Sequence, residues 1–192
     1  NALKTKCRQG FSEFLRKAGM DERMPRIVAS GGRQSAYDDF CVALKKARAD
    51  DFIVLLVDSE AAVAEGVKPW NHLKGRDNWD RPQAATDEHA QLMVQCTETW
   101  FMADKETVQE FFGNDFNRNA LPARADIENI AKDDIYQGLK NATRHCNPKG
   151  EYGKGRHSFD ILALLDPAKV VAASLHAGRL VDTLKEKAQT AQ

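Results

Sequence analysis

Four groups of residues in this 192-residue chain have types and spacings that could do chemistry. Asp58 and Glu60 follow directly on the apolar run Phe52-Ile53-Val54-Leu55-Leu56-Val57. Residues two apart on an extended path point the same way, so the two carboxylates could converge on one hard cation such as Mg²⁺, with Mn²⁺ a close substitute. The same pair could equally cap and lead a helix over Ala61 to Glu65. Glu98 follows the second apolar stretch, Ala90 to Gln95, and could either join such a carboxylate site or serve as a first-turn helix acid beside Thr97. Asp104 is a weaker candidate for the same role. The segment Lys149-Gly150-Glu151-Tyr152-Gly153-Lys154-Gly155-Arg156-His157-Ser158 suits phosphate. Its glycines permit close backbone approach, Lys154, Arg156 and His157 bring positive charge, and a helix starting near Ser158 would offer free N–H groups. It is not a Walker loop, because glycine follows Lys154. Its plainer reading is a solvated loop with Ser158 as the cap. Lys154 could also neutralise transition-state charge.

A fourth group, Trp70, His72, Lys74, Arg76, Trp79 and Arg81, forms a basic, aromatic-bearing insertion after the acidic pair. Trp70, Arg76 and Trp79 suit either stacking on single-stranded nucleic acid or a partner-protein surface. Trp100, Phe101 and Met102 read as core. The five histidines show no metal-ligand spacing.

These groups need elements to position them. Leu3, Cys7, Phe11, Phe14 and Leu15 recur at helical spacing, and Gly19 is a natural stop. Arg26 to Ser30 is β-compatible and ends at Gly31-Gly32. Ser35 to Arg48 reads as a helix, and Phe52 to Val57 as a strand covered on both faces. Strand, helix, strand in this rhythm predicts a parallel βαβ unit. Ala90 to Gln95 is a further strand, and from Thr97 the patterns are helical: Glu98 to Met102, Lys105 to Phe112, Asp133 to Thr143, Phe159 to Leu165, and Pro167 to Lys187 with a break near Gly178. The expected fold is α/β, a small mostly parallel sheet with a largely helical C-terminal half, divided as residues 1–103 and 104–192.

Composition sets outer limits. With 28 basic and 28 acidic residues the net charge is zero, so any contact with nucleic acid must come from a local patch. Cys7, Cys41, Cys96 and Cys146 form no C-x-x-C pair and read as reduced thiols of a cytoplasmic protein. No apolar run is long enough to span a bilayer, so no membrane partner is expected. An oligomer is compatible with the composition.

The order helix, Arg26 to Ser30, helix, then Leu55-Leu56-Val57-Asp58-Ser59-Glu60 resembles a TOPRIM domain, whose Asp-x-Asp motif would here be Asp-x-Glu. Pro25-Arg26-Ile27-Val28, Gly31-Gly32-Arg33, Val57-Asp58-Ser59-Glu60, Gln91 to Cys96 with Glu98-Thr99-Trp100-Phe101, and Gly153 to Phe159 are similar to a bacterial TOPRIM-like family of unknown function. That resemblance implies a TOPRIM-like Rossmannoid core and a Mg²⁺-dependent nuclease or nuclease subunit. Asp58, Glu60 and Glu98 would be its metal ligands and Lys154 a further catalytic residue. It also implies nucleic acid as substrate and an ABC-type ATPase partner in an anti-phage defence locus. A non-catalytic regulatory or scaffold subunit of the same fold is the alternative. The TOPRIM glutamate belongs on a first strand before the first helix, so either that strand is expected upstream of Asn1 or the protein lacks this general acid/base.

Overall fold

In the computed structural model, which describes residues 2–190, two parallel strands form the only sheet among the described residues. Strand β1 (Leu55–Asp58) pairs with β2 (Ala90–Met93) in the register Leu55↔Ala90 to Asp58↔Met93. The helices are α1 (Ala2–Leu15), α2 (Arg33–Lys46), α3 (Pro69–Asp77), α4 (Lys105–Phe112), α5 (Lys132–Thr143), α6 (Lys154–Leu164), α7 (Pro167–Ala173) and α8 (Leu175–Thr190). Helix α3 lies on the crossover between the strands, as a parallel pair requires. The chain is therefore a mixed α/β protein with a small parallel sheet and a helix-rich second half, as the patterns predict.

The sheet separates two hydrophobic cores. Leu55, Val57, Ala90, Leu92 and Val94 pack with Phe40, Trp70, Leu73 and Trp79 of the α2 and α3 side. On the other face Leu56 and Met93 meet the larger core, built from α1 and the C-terminal helices. Both faces of β1 are thus covered, which is why Leu55 to Val57 is uniformly apolar. Buried Gln91 donates to Thr183 Oγ1 of α8 at 3.3 Å, which lays that helix along β2.

Helix α1 belongs with the larger core. Phe14 stacks on Trp100 at 5.0 Å between centroids and Phe11 meets the same ring edge-on at 6.4 Å. Trp100, Phe101 and Met102 are core residues, as expected. Gly10 allows α1 to touch α6: a Cβ there would lie 2.6 Å from the Phe159 carbonyl oxygen.

Three local expectations are corrected. Arg26 to Ser30 is not a strand; Val28 is 63% exposed, and no ladder hydrogen bonds hold the segment. The β1 ladder begins at Leu55 rather than Phe52, because its partner begins only at Ala90. No helix forms over Ala61 to Glu65; Glu60 (φ 65°) and Gly66 (φ 76°) both take left-handed backbone, and the stretch between them is irregular.

Candidate functional site

Asp58 ends β1, and its Oδ1 accepts from the Thr97 amide (2.9 Å) and the Thr97 hydroxyl (3.1 Å). Thr97 opens the short 3₁₀ turn that follows β2, so one carboxylate oxygen joins the two strand exits. The other, Oδ2, faces Lys154 Nζ at 3.2 Å. With no helix over Ala61 to Glu65, helix capping no longer accounts for Asp58 or Glu60. The backbone around them is pinned from several sides. Ser59 and Glu60 amides donate to the Met93 and Gln95 carbonyls at 2.9 and 2.8 Å, and His72 Nε2 meets the Ser59 carbonyl at 2.9 Å. Arg33 donates to the Asp58 carbonyl while forking onto both oxygens of Asp77 (3.0 and 2.6 Å) over the face of Trp79.

Glu98 is fully buried in the same 3₁₀ turn. An unpartnered carboxylate there would be costly, and three hydroxyls prevent that cost. Tyr152 and Ser158 donate to Oε1 at 2.7 and 3.1 Å, and Tyr136 donates to Oε2 at 3.0 Å. Tyr136 comes from α5, Tyr152 from the loop before α6, and Ser158 from α6. Burial and then the Glu98 charge push both phenols far above the ordinary tyrosine range, so they remain hydrogen-bond donors.

Lys154 is where the two acids meet. Its Nζ lies 3.2 Å from Asp58 Oδ2 and 3.9 Å from Glu98 Oε2, above the Tyr136 ring at 5.4 Å, and its side chain is 53% exposed. Burial alone would lower its affinity for the proton, but the Glu98 and Asp58 charges outweigh it and hold the amine above its ordinary value. For Asp58, burial dominates and moves the carboxyl up; Lys154 opposes this, while Glu98 and Glu60 reinforce it. Burial, and then the Glu98 and Asp58 charges, push the neighbouring Cys96 thiol up to about 12, which disfavours its thiolate.

Glu60 stands beside this centre but is turned by its left-handed backbone toward other cations. Lys132, at the start of α5, forms a close ion pair with it, and Arg76 lies 3.9 Å away. Burial works against the charged form, yet Lys132 and Arg76 keep the Glu60 carboxyl below its usual range.

The other candidates are distributed as follows. Helix α6 starts at Lys154, four residues before the expected point, so Lys154 and Arg156 lie exposed in its first turn. His157 is not a phosphate-gripping side chain: it is 4% exposed, accepts from the Gly153 amide through Nδ1 at 3.1 Å, and is walled by Phe111, Phe112 and Tyr152. Trp70 and Trp79 do not form a surface. They are 3% and 5% exposed, with their indole N–H groups given to the Thr86 carbonyl and Gln34 Oε1. Arg76, from the same insertion, does reach the site through Glu60. Asp104 lies elsewhere, bonded to Lys169, Thr107 and the Asp166 amide.

Tyr136 and Lys132 carry no local signal in the sequence, while Ser158, read there as a helix cap, lies inside α6 and bonds Glu98 instead. Thr97 and Tyr152 are marked only by their places beside Glu98 and within the glycine-rich segment.

Among the described residues no group of three or more carboxylate, imidazole or thiol side chains is placed to hold a metal ion. The donor chemistry of the Asp58 and Glu98 pair nevertheless suits Mg²⁺, which commonly takes one or two carboxylates and completes its shell with water and substrate phosphate. The pair already shares one cation, the ammonium of Lys154.

No curated protein and no solved structure matches the chain. A family model described as "Domain of unknown function (DUF4276)" matches residues 2–185, nearly the whole length, and the chain belongs to that family.

Proposed function

We propose that this protein is a divalent-metal-dependent phosphodiester hydrolase acting on nucleic acid, alone or as the nuclease subunit of a larger assembly. The observation that carries this reading is the meeting of Asp58, Glu98 and Lys154, from three distant parts of the chain, beyond the carboxyl ends of two parallel strands. Open α/β sheets place their ligands at that edge. Asp58 and Glu98 would hold Mg²⁺ or Mn²⁺, with Glu60 as an adjacent charge. The metal supplies Lewis-acid polarisation of a phosphate and an activated water when bound. Lys154 and Arg156, in the first turn of α6, would meet phosphate oxygens, and Tyr136, Tyr152 and Ser158 keep Glu98 oriented. In this reading the sheet and its acids are a variant of the TOPRIM arrangement. The zero net charge predicts weak nucleic-acid binding by the isolated chain. An ABC-type ATPase partner in a bacterial anti-phage system would then supply affinity and control in the cytoplasm.

A second reading, a non-catalytic scaffold of the same fold, draws on the pairing of Glu60 with Lys132 and Arg76 and on the three hydroxyls that satisfy Glu98. Both acids would then be internal struts. Linear, circular and structured DNA and RNA, incubated with the protein in Mg²⁺ and in Mn²⁺ with and without the neighbour-encoded ATPase, separate the two. The hydrolase reading expects metal-dependent cleavage that Asp58→Ala abolishes. Cleavage that persists in the Asp58→Ala, Glu98→Ala double variant would remove the site, and failure on every substrate would favour the scaffold.

A further inference from the structure

We propose that Lys154 is an internal placeholder for the metal, so that a divalent cation enters this site by displacing the lysine head group. The inference rests on the hydrolase reading and specifies how its site is regulated.

The oxygen a metal would take first is Asp58 Oδ2, because Oδ1 is committed to both donors of Thr97. That oxygen faces Lys154 Nζ at 3.2 Å, and the same ammonium lies 3.9 Å from Glu98 Oε2. A dication bound between these oxygens would stand where the ammonium stands. Two cations so close repel strongly in a poorly solvated site, so occupancy is an exchange rather than an addition. The arrangement is built for one partner to leave and the other to stay. Glu98 remains held by Tyr136, Tyr152 and Ser158, and Asp58 by Thr97, without any help from the lysine. Lys154 sits at the end of a flexible four-carbon stem with a side chain 53% exposed, and reaches water by rotating about that stem.

Two consequences follow. Removing the ammonium strengthens metal binding, the opposite of what removing a ligand or a structural prop does. Metal binding also frees the amine, making it more reactive toward an acylating reagent.

The test titrates the intact protein with Mn²⁺, read by loss of the free-ion electron paramagnetic resonance signal. Wild type, Lys154→Met and Asp58→Asn are compared. In parallel, wild-type protein is labelled with acetic anhydride with and without Mg²⁺, and Lys154 acetylation is quantified by mass spectrometry against Lys6. The expected result is Mn²⁺ binding at least tenfold tighter in Lys154→Met than in wild type, weaker binding in Asp58→Asn, and Lys154 labelling that rises severalfold with Mg²⁺. Equal or weaker Mn²⁺ binding in a folded Lys154→Met, with Asp58→Asn still impaired, would overturn the exchange and leave the metal site standing. Absence of Mn²⁺ binding in wild type and Lys154→Met alike would overturn both. If Lys154→Met does not fold, the wild-type labelling decides: no response to Mg²⁺ at Lys154 overturns the proposal.

Discussion

The Tyr152 hydroxyl donates to Glu98 Oε1 at 2.7 Å, and this bond joins the loop before α6 to the turn after β2. Tyr152→Phe keeps the ring packed against Phe101 and removes one donor from a fully buried carboxylate. Leaving such an acceptor short costs about 1–3 kcal/mol. Urea unfolding should show that loss, while Glu98→Ala, which removes the carboxylate acceptor from Tyr136, Tyr152 and Ser158 together, should lower the midpoint further.

Gly10 supplies a packing prediction independent of the site. Gly10→Ala would drive a methyl group to 2.6 Å from the Phe159 carbonyl oxygen, a backbone atom that moves only if α6 moves. Overpacking of this kind costs about 1–3 kcal/mol. A lowered thermal midpoint should appear with helix content unchanged by circular dichroism.

Asp104 gives a pH prediction. Burial disfavours its charge, but Lys169 Nζ (2.7 Å), the Asp166 amide (3.0 Å) and Thr107 Oγ1 (2.7 Å) outweigh that and hold the carboxyl below its ordinary value. A carboxyl depressed by folding stabilises fully above its unfolded pKa of about 4. That contribution is lost as pH falls through the lower folded value. Wild type should therefore exceed Asp104→Ala by about 1–3 kcal/mol at pH 7. The gap should narrow steadily below the unfolded value, which denaturant melts across pH 7 to 2.5 will measure.

The tryptophans allow a sharp choice between surface and core. Trp70 and Trp79 are buried with Phe40 and Tyr37, the latter stacked on Trp79 at 4.7 Å. Trp70→Ala should cost about 3–5 kcal/mol of stability, as a core truncation does. Stability near wild type, with loss confined to binding of nucleic acid or a partner, would contradict this packing.

Much of the site was legible because carboxylates directly after buried apolar strands stand out against their neighbours. Asp58 and Glu98 did so, and the expected strand ends brought them together. Lys154 was marked by glycines on both sides. The hydroxyl partners of Glu98 were not marked, since Tyr136 and Tyr152 look like ordinary amphipathic-helix and loop aromatics until a fold brings Glu98 to them. The insertion misled for a related reason. Lys74, Arg76 and Arg81 give it a polar average, but helical periodicity turns Trp70 and Leu73 inward onto β1 and β2. Arg26 to Ser30 has strand composition, yet a strand is a pairing, and composition cannot supply the second ladder. The α1 and α6 contact depends on residues about 150 apart, beyond the reach of any local pattern.

The Asp58, Glu98 and Lys154 centre also has a timetable. Synthesis delivers Asp58 first and Glu98 40 residues later, but Tyr152, Lys154 and Ser158 follow Glu98 by more than 50 residues. A nascent polypeptide on the ribosome carries both acids long before it carries the groups that order and neutralise them. The centre thus closes only after the acids have been made, so any activity it has begins only once α6 has emerged and docked against α1.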